Sequence, residues 1–319
     1  MIIVLSKNQN HCCISRIIEF ELNSGGIFLP PDYVIFTEST AGFSKKQISK
    51  LNIEVLPLKF TLSNKTYFND LGKKDLQSEV FFNLLRKGEM PVTSQINFTE
   101  FVEEFEKVLK QGKDILYVGF SSALSGTYAS GMAAKAELEK KYSDRKILAV
   151  DTLAGSSGES LAVFYVVQNK KNGMSLEENA SSLEKMKVNI CHWIVLDSLI
   201  YAKRGGRLSS SSAFLGTLLG IRPILHVSNE GKVVPVQKAR GKKSAIDKLI
   251  EIMRKNIKPL FGQTIFIAHA DAKDSAEYLA KSIKKNFNVE RILIENMDAV
   301  IGSHAGPGAV GVSFWGKER

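Results

Sequence analysis

From Tyr33 onward, short apolar runs alternate with segments whose apolar positions recur at helical spacing. Tyr33-Val34-Ile35-Phe36 reads as a strand, Thr37-Glu38-Ser39-Thr40 as a polar turn, and a helix is predicted from near Ser44. Ile53 to Leu62 is strand-like. Thr99 reads as the N-cap of a helix in which Phe101, Val102, Phe105, Val108 and Leu109 repeat until Gly112 stops it. Ile115 to Phe120 is a buried-strand run, Ala129 to Tyr142 an Ala-, Glu- and Lys-rich helix, and Lys146 to Val150 the next strand. This alternation predicts an α/β fold with an N-terminal doubly wound parallel sheet, Rossmann-like, whose ligand loops lie at the carboxyl ends of the strands.

The second half has a different rhythm. Cys191 to Leu196 reads as a strand, followed by a helix toward Gly205-Gly206 and another over Ser210 to Leu219. Pro223 to Val227 and Lys232 to Val236 are short strands around the turn Asn229-Glu230-Gly231. A basic helix over Ser244 to Asn256, a strand over Thr264 to Ala268, a helix over Asp274 to Lys285 and a strand over Arg291 to Glu295 complete it. Hairpin pieces among helices predict a mixed α/β domain. The expected division is an unpatterned, disordered extension over 1–31, an N-terminal parallel domain over 32–158 and a C-terminal mixed domain over 159–319, with no internal repeat.

Composition narrows the class. The 319 residues are 44% hydrophobic and 24% charged, enough to build a large core without disulfide or metal staples. No run of apolar residues is long enough to span a bilayer. Three cysteines, two of them adjacent, make no disulfide framework, and the first residues make no signal peptide, so a cytoplasmic location is expected. His11-Cys12-Cys13 has no distant partner pair to complete a metal site. The net charge is +10. Cations gather at Lys203, Arg204 and Arg207, and again at Lys238, Arg240, Lys242, Lys243 and Lys248. These are either solvated surface or a dock for an acidic protein or, transiently, an anionic membrane surface. Without a zinc-finger, RNA-recognition or basic-zipper signature, nucleic acid is not an expected partner.

Four loops concentrate hydroxyls and glycines with a His or Arg: 91–95, 121–128, 203–209 and 302–309. In the second, a strand ends in Ser121-Ser122-Ala123-Leu124-Ser125-Gly126 and opens a helix. That order aims backbone N–H groups and a positive helix end at one point, an anion site. The alternative is that Ser125 or Thr127 simply caps the helix. Thr93 and Ser94 offer further hydroxyls. His304 is either a structural imidazole or a donor to a bound anion. Gly306-Pro307-Gly308-Ala309-Val310-Gly311 is formally G-x-G-x-x-G but lacks the following βαβ unit a dinucleotide site needs.

These loops carry a resemblance. Thr37-Glu38-Ser39-Thr40-Ala41 is similar to T-D-S-T-A, Pro91 to Gln95 to P-T-T-S-Q, and Ser121 to Tyr128 to S-S-x-L-S-G-T-Y. Asp151-Thr152, Lys203 to Leu208 (K-x-G-G-R-I/L), Ile221 to Leu225 (I-K-P-I-L), His269 to Ala272 (H-A-D-A) and Ile301 to Gly308 (I-G-x-H-x-G-P-G) follow in order. From about Tyr33 to Trp315 the chain resembles the DegV family of bacterial fatty-acid-binding proteins, the lipid-presenting subunits of fatty acid kinase. It departs at Glu38 (usually Asp), Val92 (Thr) and Ile96 (Pro).

The resemblance implies two α/β domains with one long-chain fatty acid in a tunnel at their junction. The carboxylate would be held by Thr93, Ser125 and His304, with Ser94 and Gly126 beside them and Arg207 from the G-G-R match. It implies a non-catalytic carrier with no cofactor and no metal, whose partner is the catalytic subunit of a fatty acid kinase that makes acyl-phosphate. The rival expectation is an acyl hydrolase or transferase with Ser125 as nucleophile, His304 as base and Asp271 or Asp298 orienting it. No G-x-S-x-G elbow supports that rival.

Overall fold

The computed structural model describes residues 32–69, 76–208, 220–258 and 262–319. The predicted extension over 1–31 and the predicted helix Ser210 to Leu219 lie outside them. The chain begins with β1 (Tyr33–Glu38), α1 (Lys45–Leu51), β2 (Glu54–Leu56), β3 (Lys59–Leu62), β4 (Lys65–Phe68), α2 (Ser78–Arg86) and β5 (Val92–Ser94). It continues through α3 (Phe98–Leu109), β6 (Asp114–Gly119), α4 (Thr127–Lys141), β7 (Ile147–Asp151), α5 (Ser157–Lys171) and α6 (Leu176–Met186). Then come β8 (Ile190–Val195), α7 (Ile200–Arg204), β9 (Ile221–Val227), β10 (Val233–Arg240) and α8 (Lys242–Asn256). It ends with β11 (Thr264–His269), α9 (Lys273–Asn286), β12 (Arg291–Asn296), α10 (Ala299–Ala305) and β13 (Val310–Trp315).

Among the described residues the strands form three sheets. The first is parallel, in the order β2-β1-β6-β7. The second is mixed, in the order β10-β9-β8-β13-β11-β12, with only β11 and β12 running parallel as neighbours. The fold is therefore α/β with a parallel sheet and a second, mixed sheet. The third is a small antiparallel sheet, β4-β3-β5. Its hairpin turns at Ser63 and Asn64, both at positive φ, as a two-residue turn between twisted strands requires.

Two local expectations need correction. The strand expected over Ile53 to Leu62 is two strands in different sheets, β2 and β3, parted at Pro57, which has no N–H to give a ladder. Thr99 lies inside α3. The cap is Asn97, whose side chain accepts from the Glu100 N–H at 3.0 Å while Glu100 accepts from the Asn97 N–H at 3.0 Å.

One helix joins the sheets. α5 packs against β6 of the first sheet and against β8, β11 and β13 of the second. It is apolar or small nearly all round, as such a position demands: Leu161, Ala162, Val163, Val166 and Val167 are buried, and so are Ser157, Gly158 and Ser160. Its side chains share a core with Leu116 and Val118 of β6 and Phe266 of β11.

Candidate functional site

Beside that helix lies a cavity of about 430 Å³. One wall is the second sheet. Side chains alternate along a strand, so His192, Ile194 and Leu196 share a face, joined by Leu225 and Val227 of β9. Loops after β6 and β7 supply Phe120, Leu124, Gly155 and Ser156; Met297, Val300 and Ile301 close the cavity from the start of α10. The lining is mostly apolar. Thr93, Ser94, Ser125, Gly126, Arg207 and His304, drawn from four loops, all line this one cavity.

Each arrives by a different route. Thr93 is held in β5, paired with Phe60 of β3. Its hydroxyl hydrogen-bonds the Nε2 of His304 at 3.0 Å. His304 stands in the last turn of α10 and presses on Gly205, where a Cβ would come within 2.0 Å of Nδ1. That Nδ1 is buried without a partner among the described residues. Burial, then the nearby Arg207 charge, push the imidazole pKa down to about 4, so the ring is neutral at ordinary pH.

Ser125 turns the loop before α4. Its hydroxyl lies 2.9 Å from the Thr127 hydroxyl and accepts the Thr127 N–H at 3.2 Å. The capping alternative is not realised: the N-cap position is Gly126, which makes no side-chain cap hydrogen bond, and Ser125 lines the cavity wall. Gly126 is there for closeness: a Cβ would lie 2.1 Å from the Gln95 side-chain oxygen. Arg207 donates to the Leu124 carbonyl at 3.1 Å and the Gly205 carbonyl at 2.6 Å, so it ties two of the loops together.

Behind Thr40 on the cavity wall lies a group of buried acids that sequence reasoning missed. Glu38 accepts from the Tyr117 hydroxyl and, at 2.9 Å, from the Phe120 N–H. Glu159 accepts from Thr37 at 2.9 Å and Thr40 at 2.8 Å. Both carboxyls are fully buried. Burial pushes both pKa values up, and Glu159 is raised further by the Glu38 charge, so the pair holds a proton. The sequence marks Glu38 only as a departure from the usual Asp of the motif and gives no signal for Glu159. Gln95, Thr40, Ser156 and His192 are further cavity residues not singled out as site candidates in the sequence.

The hydrolase geometry is not assembled. Asp271 pairs with Arg86 at 2.6 Å. Asp298 caps α10, accepting from the Val300 and Ile301 N–H groups at 2.8 and 3.0 Å. Neither acid orients His304, and His304 bonds Thr93 rather than Ser125. Among the described residues no group of His, Cys, Asp and Glu side chains could hold a metal ion, and no helix is long and apolar enough to cross a membrane. Of the predicted basic cluster, Lys242 turns inward to Asp197 at 2.5 Å, leaving Lys238, Arg240 and Lys243 exposed.

Comparison with known proteins agrees with this geometry. A family model described as "Uncharacterised protein, DegV family" matches residues 32–317. A DegV domain-containing protein of Clostridium perfringens is 44% identical over 287 residues, covering 90% of this chain and 98% of the relative. Among solved structures, a DegV lipid-binding protein from Thermotoga maritima superposes with a TM-score of 0.80 at 28% identity, covering 90% of this chain and 99% of that one. A DegV family protein from Thermus thermophilus, described by its fatty acid binding, superposes with a TM-score of 0.80 at 27% identity, covering 89% and 99%. With the order of its motifs, the paired sheets and a cavity rimmed by those same loops all in agreement, this chain belongs to the DegV family.

Proposed function

We propose that this protein binds a long-chain fatty acid in the cavity and presents its carboxylate to the catalytic subunit of a fatty acid kinase. The observation that carries the reading is the pairing of an apolar cavity of about 430 Å³ with a cluster of uncharged donors, Thr93, Ser125 and His304, on its wall. In this reading residues 32–158 and 159–319 are the two domains that enclose the ligand.

The energetics suit the assignment. Burying an alkyl chain stabilises by about 0.8 kcal/mol per CH₂ before ordering costs. A buried carboxylate is expensive unless hydrogen-bonded. Hydroxyls and backbone N–H groups meet that need without bringing charge. A carboxylate held by neutral donors keeps its nucleophilicity, which attack on a γ-phosphate requires. Ser94, Gly126 and Arg207 complete the rim. The exposed Lys203 and Arg204 beside it, with Lys238, Arg240 and Lys243, are suited to dock an acidic partner or to touch an anionic membrane in passing.

The test is extraction of the purified protein with organic solvent and mass spectrometry of what is released. A stoichiometric long-chain acid is expected. A protein that stays empty after incubation with fatty acids would sink the reading. Acyl-phosphate formation from the loaded protein, with ATP and a fatty acid kinase catalytic subunit, tests the presentation step separately.

A further inference from the structure

The cavity wall carries polar groups that an unsubstituted alkyl chain leaves unused. Ser156 has φ 48° and ψ −131°, a conformation that favours glycine. It directly precedes α5, yet its side chain makes no capping hydrogen bond. The hydroxyl bonds no other protein group among the described residues, although the residue is 7% exposed and lines the cavity. A strained backbone carrying an idle hydroxyl is explained if the hydroxyl serves something that enters the cavity.

His192 lines the same wall. It is 4% exposed, and its Nδ1 has no partner among the described residues. Its Nε2 is 3.4 Å from the Ser157 hydroxyl, which is already bonded to Ser313 at 2.8 Å. His192 and Leu196 lie on one face of β8 and its extension, four residues apart, about 13 Å along the strand at about 3.3 Å per residue. Leu196 leads into α7 and the Gly205 loop that abuts His304. His192 therefore stands about 13 Å along the strand from Leu196, on the cavity wall that Ser156 also lines.

We propose that the favoured ligand is an oxygenated fatty acid, carrying a hydroxyl or keto group along its chain, and that Ser156 and His192 hold that oxygen. This rests on the fatty-acid reading above and narrows its substrate class. A serine between a strand and a helix at this backbone conformation also invites comparison with an attacking serine. The base is missing: no carboxylate hydrogen-bonds His192 among the described residues, and burial holds its pKa down to about 3.

The experiment uses the delipidated full chain and displacement of a fluorescent fatty acid by stearic acid and by a series of hydroxystearic acids with the hydroxyl moved along the chain. One position is expected to bind about tenfold more tightly than stearic acid. Ser156→Gly, which suits the backbone at that position, is expected to bring the ratio close to one, and His192→Phe to do the same. Stearic acid binding with no preference at any hydroxyl position overturns the proposal and leaves the fatty-acid reading standing. A preference that survives Ser156→Gly overturns the site assignment. Failure of every acid to bind overturns both readings.

Discussion

Two polar regions border the cavity, and they handle protons in opposite ways. At the Thr93 end the groups are neutral hydroxyls on residues that line the cavity, and the imidazole beside them is kept uncharged. Behind Thr40 the groups are acids, sealed from solvent and bonded inward to Tyr117, the Phe120 N–H, Thr37 and Thr40. An anion is welcome at the first and repelled by any charge on the second. In the fatty-acid reading proposed above, the contrast gives the cavity a polarity: a carboxylate would settle at Thr93 and Ser125, and the chain would run past the acids as hydrocarbon. Burial alone does not separate the two regions; the chemistry of the groups does, neutral hydroxyls and an imidazole at one and carboxyls at the other.

The largest expected effect follows from removing the donors. Thr93→Ala and Ser125→Ala should each weaken fatty-acid binding by about 1.5–3 kcal/mol, the worth of a hydrogen bond to a charged group. The double variant should approach the sum, read by calorimetry or fluorescent displacement. Unchanged affinity in the double variant would leave the carboxylate at some other point of the cavity, and the contrast would lose its first half.

A smaller effect is expected from disturbing the donors without deleting them. In Gly205→Ala the new methyl would sit 2.0 Å from the His304 Nδ1 and 3.2 Å from the Tyr201 carbonyl, so the ring has to move. The Thr93–His304 bond should break, at a cost of about 1 kcal/mol in binding. Gly126→Ala meets the end of the flexible Gln95 side chain and should cost less. Equal losses in the two variants would mean that His304 does not hold Thr93 in place.

Much of this arrangement is legible in the sequence because it is local. Ile115 to Phe120 announces β6 by its apolar run, and the Ser125-Gly126 loop announces itself by following a strand and opening a helix. Asn97 and Thr99 are both good cap residues by type, and only the reciprocal Glu100 contact distinguishes them. Pro57 as a break between sheets is a matter of which strands pair, which no short window contains. Thr37 and Glu159 are bonded across 122 positions of sequence, so the acid pair becomes visible only when α5 docks on β1. The strain at Ser156 is likewise invisible, since its letter suggests an ordinary cap. Lys242 reads as surface charge until Asp197 is found beside it.

The acid pair makes a prediction about pH. Both folded-state pKa values lie above the ordinary 4.5, so between that value and neutrality the folded chain holds protons that the unfolded chain has lost. The pair's contribution to stability is full below about pH 4.5 and is lost as pH rises through the folded-state values. Glu159→Gln keeps an acceptor for the threonines and removes a titrating group. Relative to it, the parent chain should lose on the order of 1 kcal/mol or more between about pH 5 and pH 8 in denaturant titrations. Parallel stability curves for the two proteins would show that the pair is ionised at no cost, and the two regions would no longer differ in kind.

The smallest expected effect is none, and it bears directly on the neutral end. With its pKa held near 4, His304 does not change charge between about pH 6 and pH 9, so fatty-acid affinity should be flat across that range. A cationic imidazole gripping the carboxylate would instead lose affinity by about tenfold for each pH unit between its pKa in the free protein and its higher pKa in the complex. The acid pair could add a slope of its own as it loses its proton, which is why the measurement belongs in both the parent chain and Glu159→Gln. A slope confined to the parent traces to the acids repelling the ligand and strengthens the contrast. A slope that persists in Glu159→Gln and vanishes in His304→Gln would make the grip ionic, and the carboxylate would then be held by charge rather than by hydroxyls.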